Sequence, residues 1–206
     1  MKSLRSLVAG LACLLLLLPV TAGAVADNPR ELVIDTTEKT LAKIREQREA
    51  LDANPRMVDQ IIIDIVLPHF DFVAMSRAVL GKHWRRTNAG QQERFVLEFR
   101  NLLVRTYATA LLEYTEEPID YPPLIANPTD TDVTVRTEIE QPGGLGIPIN
   151  YRMERLDDGW MVYDITIDGL SLISNYRNTF NNEIRKVGID QLIENIKQRN
   201  ADAHGG

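Results

Sequence analysis

The stretch from Trp160 to Ile173 constrains this chain more than any other. Asp157-Asp158-Gly159 ahead of it is a tight-turn signal, and β-branched and aromatic residues fill positions 160–167, which predicts a strand. Strict alternation puts Trp160 and Val162 on one side and Met161, Tyr163, Ile165 and Ile167 on the other. A strand apolar on both faces is covered on both, so this one is expected at the centre of a sheet. Asp168-Gly169 then turns the chain directly into an amphipathic helix. Strand and helix share one hinge, and the remaining elements have to pack around that pair.

Before this stretch the apolar period changes from 3.6 to 2. Asn28-Pro29 opens a first helix, a capping Asn followed by Pro at the first helical position, with Ile34, Thr37, Leu41, Ile44 and Leu51 as its buried stripe. Asn54-Pro55 repeats the signal, and Met57 to Leu67 is apolar except for Asp59, Gln60 and Asp64. Pro68 ends that helix. A third starts near His69, carries Phe70, Phe72, Val73, Met75, Val79 and Leu80, and is capped by Gly81. A fourth, capped by Thr87 or Asn88, runs to about Tyr114 with Phe95, Phe99, Leu103 and Tyr107 on its apolar face. From Val133 to Ile139 and from Ile147 to Met153 the pattern alternates strictly, with Pro- and Gly-containing loops between. Three strands on short loops make an antiparallel meander. Helices resume from Leu170 to about Val187 and from Ile189 onward, with Gly188 between them. The fold class is α+β, an antiparallel sheet packed against several helices.

The N-terminus is read separately. Lys2 and Arg5, an apolar run from Leu7 to Val20, and the small-residue sites Ala22-Gly23-Ala24 and Ala24-Val25-Ala26 are the parts of a cleavable secretory signal peptide over 1–26. The folded domain is expected over 27–200, with a disordered tail over 201–206. The single cysteine, Cys13, lies inside the apolar run, so the exported chain has no disulfide and relies on its core. Removing Lys2 and Arg5 from 23 basic residues leaves 21 against 29 acidic, a net charge of −8. That argues against nucleic acid as a partner and against adsorption to anionic membranes.

No arrangement of residues points to catalysis. His69 with Asp71, His83 and His204 make no metal or triad pattern, and there is no Gly-x-Ser-x-Gly elbow, phosphate loop or dinucleotide fingerprint. Asp164, set among apolar strand residues, is either a base with a raised pKa or a carboxylate hydrogen-bonded within the structure. Lys82, Arg85 and Arg86 form a basic loop that either meets a phosphate or acidic partner or is simply solvated. The apolar surface of helices two to four and of the last strand fills a dense core or encloses a cavity for an apolar ligand.

Particular residues bring in a family. Trp160-x-x-Tyr163-Asp164-Ile165, then Asp168-Gly169-Leu170-Ser171-Leu172-Ile173, then Val187-Gly188-Ile189-Asp190-x-Leu192 resemble the toluene-tolerance (MlaC-type) family of periplasmic phospholipid carriers. So do Leu80-Gly81-Lys82-His83-Trp84-Arg85, Gln91-Gln92-x-x-Phe95-x-x-x-Phe99, and Tyr107, upstream and in the same order. The resemblance implies a non-enzymatic periplasmic shuttle, with no cofactor beyond its phospholipid cargo. It implies glycerophospholipid passing between an inner-membrane ABC transporter with a lipid-binding ring protein and an outer-membrane lipoprotein–porin complex, which maintains outer-membrane lipid asymmetry. It implies acyl chains held between sheet and helices in a monomer, and carries no catalytic residue. Two other classes stay open: an α+β cone enzyme using Asp164, and a periplasmic adaptor that binds protein through exposed helices.

The expected lining is Val73, Phe99, Leu103, Tyr107, Val135, Ile149, Tyr151, Met153, Val162, Ile165, Ile173 and Tyr176, each at the right period and each equally able to be plain core. Exposing some 30 methylenes of a two-chain lipid to water costs roughly 25 kcal/mol, at about 0.8 kcal/mol each. A cavity to receive them needs roughly 800 Å³. Left open and rigid it would cost near 19 kcal/mol at about 24 cal/mol per Å³, against a domain stability of about 5–15 kcal/mol. The protein is therefore expected either to stay loaded or to close its pocket. Native mass spectrometry of freshly purified protein checks this, and a lipid-free form with a large, open, dry cavity contradicts it.

Overall fold

The computed structural model describes residues 28–202; the signal peptide expected over 1–26, Cys13 and His204 lie outside the described residues. Among the described residues, helices α1 (Pro29–Glu46), α2 (Arg48–Ala53), α3 (Val58–Ile61), α4 (Phe72–Leu80) and α5 (Ala89–Tyr107) come first. Five strands follow: β1 (Ile119–Asp120), β2 (Asp132–Ile139), β3 (Ile147–Leu156), β4 (Gly159–Ile167) and β5 (Leu170–Ser171). The last element is α6 (Leu172–Asp202). The helix starts are made by the capping residues. Asn28 accepts from the backbone N–H of Arg30 at 2.9 Å, with Pro29 in the first turn. Asp71 accepts from Ala74 N–H at 2.7 Å. Asn88 and Gln91 form a reciprocal capping box at 2.9 and 3.0 Å. Gly188, at φ 81° and ψ 173°, breaks α6 into two helical pieces.

Several boundaries differ from the sequence reading. The apolar segment after Asn54 is a chain of short turns rather than one helix: one α-turn at α3, a π-turn over Ile62–Val66 and a 3₁₀ turn over Leu67–His69. Pro68 lacks the N–H that a continuing helix needs, and the chain stays irregular until Asp71 caps α4. The fourth helix ends at Tyr107 and continues as a 3₁₀ turn over Thr109–Tyr114. At 1.5 Å per residue its regular part is about 28 Å long, not the roughly 40 Å that a helix to Tyr114 would reach. The α6 helix continues through Asp202, past Asn200 where order was expected to end.

The strands form one antiparallel sheet in the order β1-β2-β3-β4-β5. β3, not β4, is therefore the middle strand. Beyond β4 there is only the two-residue β5 and the segment before α4, where Asp71 N–H donates to Val162 O at 2.9 Å. The facing of β4 also departs from strict alternation. Met153 pairs with Val162, but Arg152 pairs with Asp164, so Tyr163 is an extra residue in a β-bulge. The bulge reverses the phase of the strand. Val162, Ile165 and Ile167 share one face, opposite Met153, Tyr151 and Ile149, where alternation had placed Val162 against Ile165. Tyr163 turns outward, donates to the Asp132 carboxylate at 2.6 Å and lies under the Arg152 guanidinium at 4.8 Å.

The helices bury their apolar faces in three clusters, two of which reach the inner face of this sheet and one of which lies among helices and turns alone. One joins α4, α5 and α6 through Met75, Val79, Phe95, Phe99, Phe180, Leu192 and Ile196. Its rings meet at 5.3–6.0 Å between centroids: Phe95, Phe99, Phe180 and Tyr176. A second sets Leu32 and Val33 of α1 against Val133, Val135, Met153, Trp160 and Val162. A third joins Ile44, Leu51, Val58, Ile61 and Ile62 to Val104 and Ala108.

Asp164 ties the sheet to α6. It is 6 % exposed, accepts from the Ser171 hydroxyl at 2.8 Å and from the Ile173 backbone N–H at 3.2 Å. The Ser171 oxygen in turn accepts from Ser174 N–H at 3.1 Å. Together they satisfy the first-turn N–H groups of the helix that Asp168 (φ 48°) and Gly169 (φ 78°) have just turned the chain into. Asp164→Ala should lower the unfolding free energy by about 2–3 kcal/mol, and Asp164→Asn, which keeps one acceptor, by less. Urea denaturation reads both, and a midpoint unchanged in Asp164→Ala would contradict this role.

Candidate functional site

The three clusters do not merge. Where they meet they leave a cavity of about 230 Å³ between α1, the 62–72 segment, the C-terminal half of α5 and the sheet. Each cluster contributes wall: Met75, Leu103 and Leu172 from the first, Leu32, Val33, Met153 and Val162 from the second, Ile44, Ile62, Val104 and Ala108 from the third. The sheet supplies Thr137, Ile139, Ile149, Tyr151, Met153, Val162, Ile165 and Ile167. The β-bulge is what lets the last three face the same space. Leu111 and Tyr114, from the turn after α5, complete one end.

Among the described residues no Asp, Glu, Lys or Arg lines this cavity. Its polar groups are hydroxyls and one imidazole: Thr36, Thr37, Thr40, Thr137, Tyr107, Tyr114, Tyr151 and His69. Most are accounted for locally. Thr40 Oγ1 donates to Thr36 O at 2.7 Å, and Thr137 Oγ1 donates to Ile149 O at 3.2 Å. Burial pushes the Tyr107 and Tyr151 phenols up to about 12, so both stay neutral. Burial also pushes the His69 pKa down, against the pull of Asp35, which keeps the imidazole uncharged near neutral pH. The wall is thus apolar and uncharged, with a few fixed donors. Among the described residues no cluster of His, Cys, Asp and Glu could hold a metal ion.

Of the twelve residues expected to line a pocket, Leu103, Tyr107, Ile149, Tyr151, Met153, Val162 and Ile165 stand on this cavity. The other five do not. Val73 is 46 % exposed, because the face of α4 turned inward is that of Phe72 and Met75. Phe99 and Ile173 are packed into the α4–α5–α6 cluster, and their neighbours Leu103 and Leu172 reach the cavity instead. Tyr176 joins the same aromatic stack, edge-on to Phe99 at 5.3 Å. Val135 shares the inner sheet face with Tyr151 but is covered by Leu32 and Val33. Periodicity identifies an apolar face; it does not say whether that face meets another side chain or a gap.

The largest omission is α1. Leu32, Val33, Thr36, Thr37, Thr40, Leu41 and Ile44 all line the cavity; the sequence reading put Thr37, Leu41 and Ile44 on the buried stripe without counting them as lining, and Ile34, placed on the same stripe, does not line it. The signal was present: Thr36, Thr37 and Thr40 interrupt an otherwise apolar stripe with hydroxyls at helical spacing. Val66, Leu67, His69 and Phe70 were missed as well, since they lie in irregular turns. The basic residues Lys82, Arg85 and Arg86 are exposed in the 3₁₀ turn after α4 and do not line the cavity.

Comparison with known proteins agrees with this geometry. The profile of the MlaC protein family matches residues 34–198. The chain is 25 % identical over 183 residues to the intermembrane phospholipid transport system binding protein MlaC of Haemophilus influenzae, covering 87 % of this chain and 86 % of that one. It is 26 % identical over 182 residues to the toluene tolerance protein ttg2D of Pseudomonas putida, covering 88 % and 84 %. Among solved structures, a phospholipid-binding protein from Ralstonia solanacearum, determined in complex with a phospholipid, superposes with a TM-score of 0.77 at 32 % identity, covering 84 % of this chain and 97 % of that one. A profile match running from the middle of α1 to the last turns of α6 places the chain in the MlaC family.

Proposed function

We propose that this protein binds a glycerophospholipid by its acyl chains in the cavity between α1, α5 and the sheet, and carries it through the periplasm. The observation that carries this reading is a cavity walled by apolar side chains from three clusters, with no charged side chain on it among the described residues. Such a wall offers an acyl chain what water cannot, at about 0.8 kcal/mol for each methylene removed from solvent. The phospholipid in complex with the Ralstonia protein, and the phospholipid transport system to which the Haemophilus relative belongs, support the choice of cargo. No described helix is long and apolar enough to cross a membrane, which suits a carrier that travels between membranes. On this reading the donor and acceptor are an inner-membrane ABC transporter with its lipid-binding ring protein and an outer-membrane lipoprotein–porin complex.

The size of the cavity sets a further condition. Two full acyl chains need roughly 800 Å³, more than the 230 Å³ between the walls. Loading therefore moves the walls apart, and release lets them close. The helical wall can yield where it is least regular, at the turns over Ile62–His69 and Thr109–Tyr114. We read the protein as a binding protein rather than an enzyme, because both oxygens of Asp164 are engaged in capping α6 and Asp164 does not face the cavity.

Extraction of the purified protein with organic solvent should yield a phospholipid at about one per chain, identified by mass spectrometry; a chain purified without detergent that never yields one would overturn the reading. Two tryptophan variants separate wall from core. Leu103→Trp extends into the cavity and should lower lipid occupancy severalfold while changing stability by less than about 1 kcal/mol. Val135→Trp should lower stability by about 1–3 kcal/mol, the usual cost of overpacking a core, with occupancy per folded molecule unchanged. The opposite pattern would place Leu103 in the core and Val135 on the lipid.

A further inference from the structure

Among the described residues, one buried hydroxyl on the cavity has no partner. The Thr36 Oγ1 is buried and makes no hydrogen bond, although Thr36 lines the cavity. One turn along α1, Thr40 shows the usual solution, with its hydroxyl donating to the carbonyl four residues back. Thr36 does not do this. A buried hydroxyl left without a partner is destabilising by about 1–3 kcal/mol, and such groups are uncommon in native proteins. An apolar tail cannot satisfy it. A water molecule or the oxygen-bearing part of a cargo molecule can.

His69 stands on the same part of the wall. It lines the cavity from the 3₁₀ turn over Leu67–His69 and makes no hydrogen bond among the described residues. It lies close enough to Asp35 and Lys39 to feel both charges. Those two residues flank Thr36 on α1 and pair with each other at 2.6 Å on the exposed side. The α1 side and this turn thus bring to the cavity a buried hydroxyl and an uncharged imidazole, with the exposed Lys39–Asp35 pair near the imidazole. The first two offer hydrogen-bond donors, and the pair keeps a cation near the imidazole. The polarity rises in the order tail, ester, phosphate along a diacyl glycerophospholipid.

Resting on the carrier reading, the geometry points to the Thr36–His69 seam as the seat of the cargo's glycerol–ester–phosphate region, with Thr36 Oγ1 and the His69 ring donating to its acceptor oxygens. The seat fixes which end of the lipid lies at the α1–turn seam, so the tails extend toward Leu103, Leu111 and Ile149. It also gives the protein a preference for lipids with acceptor oxygens over bare hydrocarbon of the same bulk.

The test uses the full exported chain and three probes: a diester phosphatidylglycerol, its diether analogue, and diphenylhexatriene, an apolar fluorophore without oxygen. Thr36→Val keeps the shape and removes the hydroxyl. It should weaken phosphatidylglycerol binding about 5–10-fold, as loss of one hydrogen bond does, and leave diphenylhexatriene within about twofold. Thr36→Ser should restore the wild-type affinity, and His69→Phe should repeat the selective loss. If wild type binds the diether as weakly as Thr36→Val binds the diester, the acceptor is an ester carbonyl. If diether and diester bind wild type alike and both weaken in Thr36→Val, it is a phosphodiester oxygen. Equal weakening of all three probes, or none, overturns the seat while the carrier reading stands. A wild-type chain that binds neither lipid nor fluorophore overturns the carrier reading and the seat together.

Discussion

The packing of α5 against α6 holds the cavity open. Phe95, Phe99 and Phe180 are fully or almost fully buried, and their rings, with Tyr176, interlock edge to face and face to face. Aromatic packing of this kind is stiff, because each ring is large and has few rotamers. It fixes the N-terminal half of α5 away from the sheet. Leu103, Val104 and Tyr107, one to three turns further on, then project over the sheet without closing onto it. If this cluster were loose, α5 would settle on Ile149, Tyr151 and Ile165, and the three cores would become one. A hollow of about 230 Å³ would cost on the order of 5 kcal/mol if left unfilled, so only a well-packed remainder can sustain it.

The distribution of charge follows from the same hollow. Ionised side chains are excluded from its walls, where desolvation would be severe, and pair on the surface instead. Examples are Lys39 with Asp35, Arg48 with Asp52, Arg94 with Asp190, and Arg199 with Glu183. These exposed pairs add little stability individually. Their effect is to leave the interior to carbon, hydroxyl and neutral ring nitrogen. A surface so uncharged discriminates by size and apolar area, and its hydrogen-bonding groups are hydroxyls and the His69 ring.

Two backbone devices translate sequence into that surface. The bulge at Tyr163 turns one strand from two half-apolar faces into a single cavity-facing set, Val162, Ile165 and Ile167. The positive φ angles at Asp168 and Gly169 then swing the chain back so that Asp164 and Ser171 cap α6. The carboxylate that looked from sequence like a candidate base is therefore the joint between sheet and helix layer. Its burial and its hydrogen bonds fit a capping role, since a capping carboxylate also needs both its oxygens occupied.

Read alone, the sequence determined much of the outcome. The change of period near residue 130 specified helices, then a meander, then helices. Asn28-Pro29, Asn88 and Gly188 marked their ends, because capping chemistry is local and survives without knowledge of the fold. The motifs from Trp160 to Leu192 indicated the family. What tertiary structure alone decided is which apolar residues touch one another and which face a gap. Phe99 and Leu103 lie one turn apart on the same helix face, and Val135 and Tyr151 are cross-strand partners, yet one of each pair is core and the other is wall. The bulge that rephased β4 and the irregular turns that brought in His69 and Phe70 left no periodic trace. Periodicity records only the side of an element that avoids water, and core and cavity wall avoid it equally; the distance to the opposing element separates them, and that distance is set by residues far away in the chain.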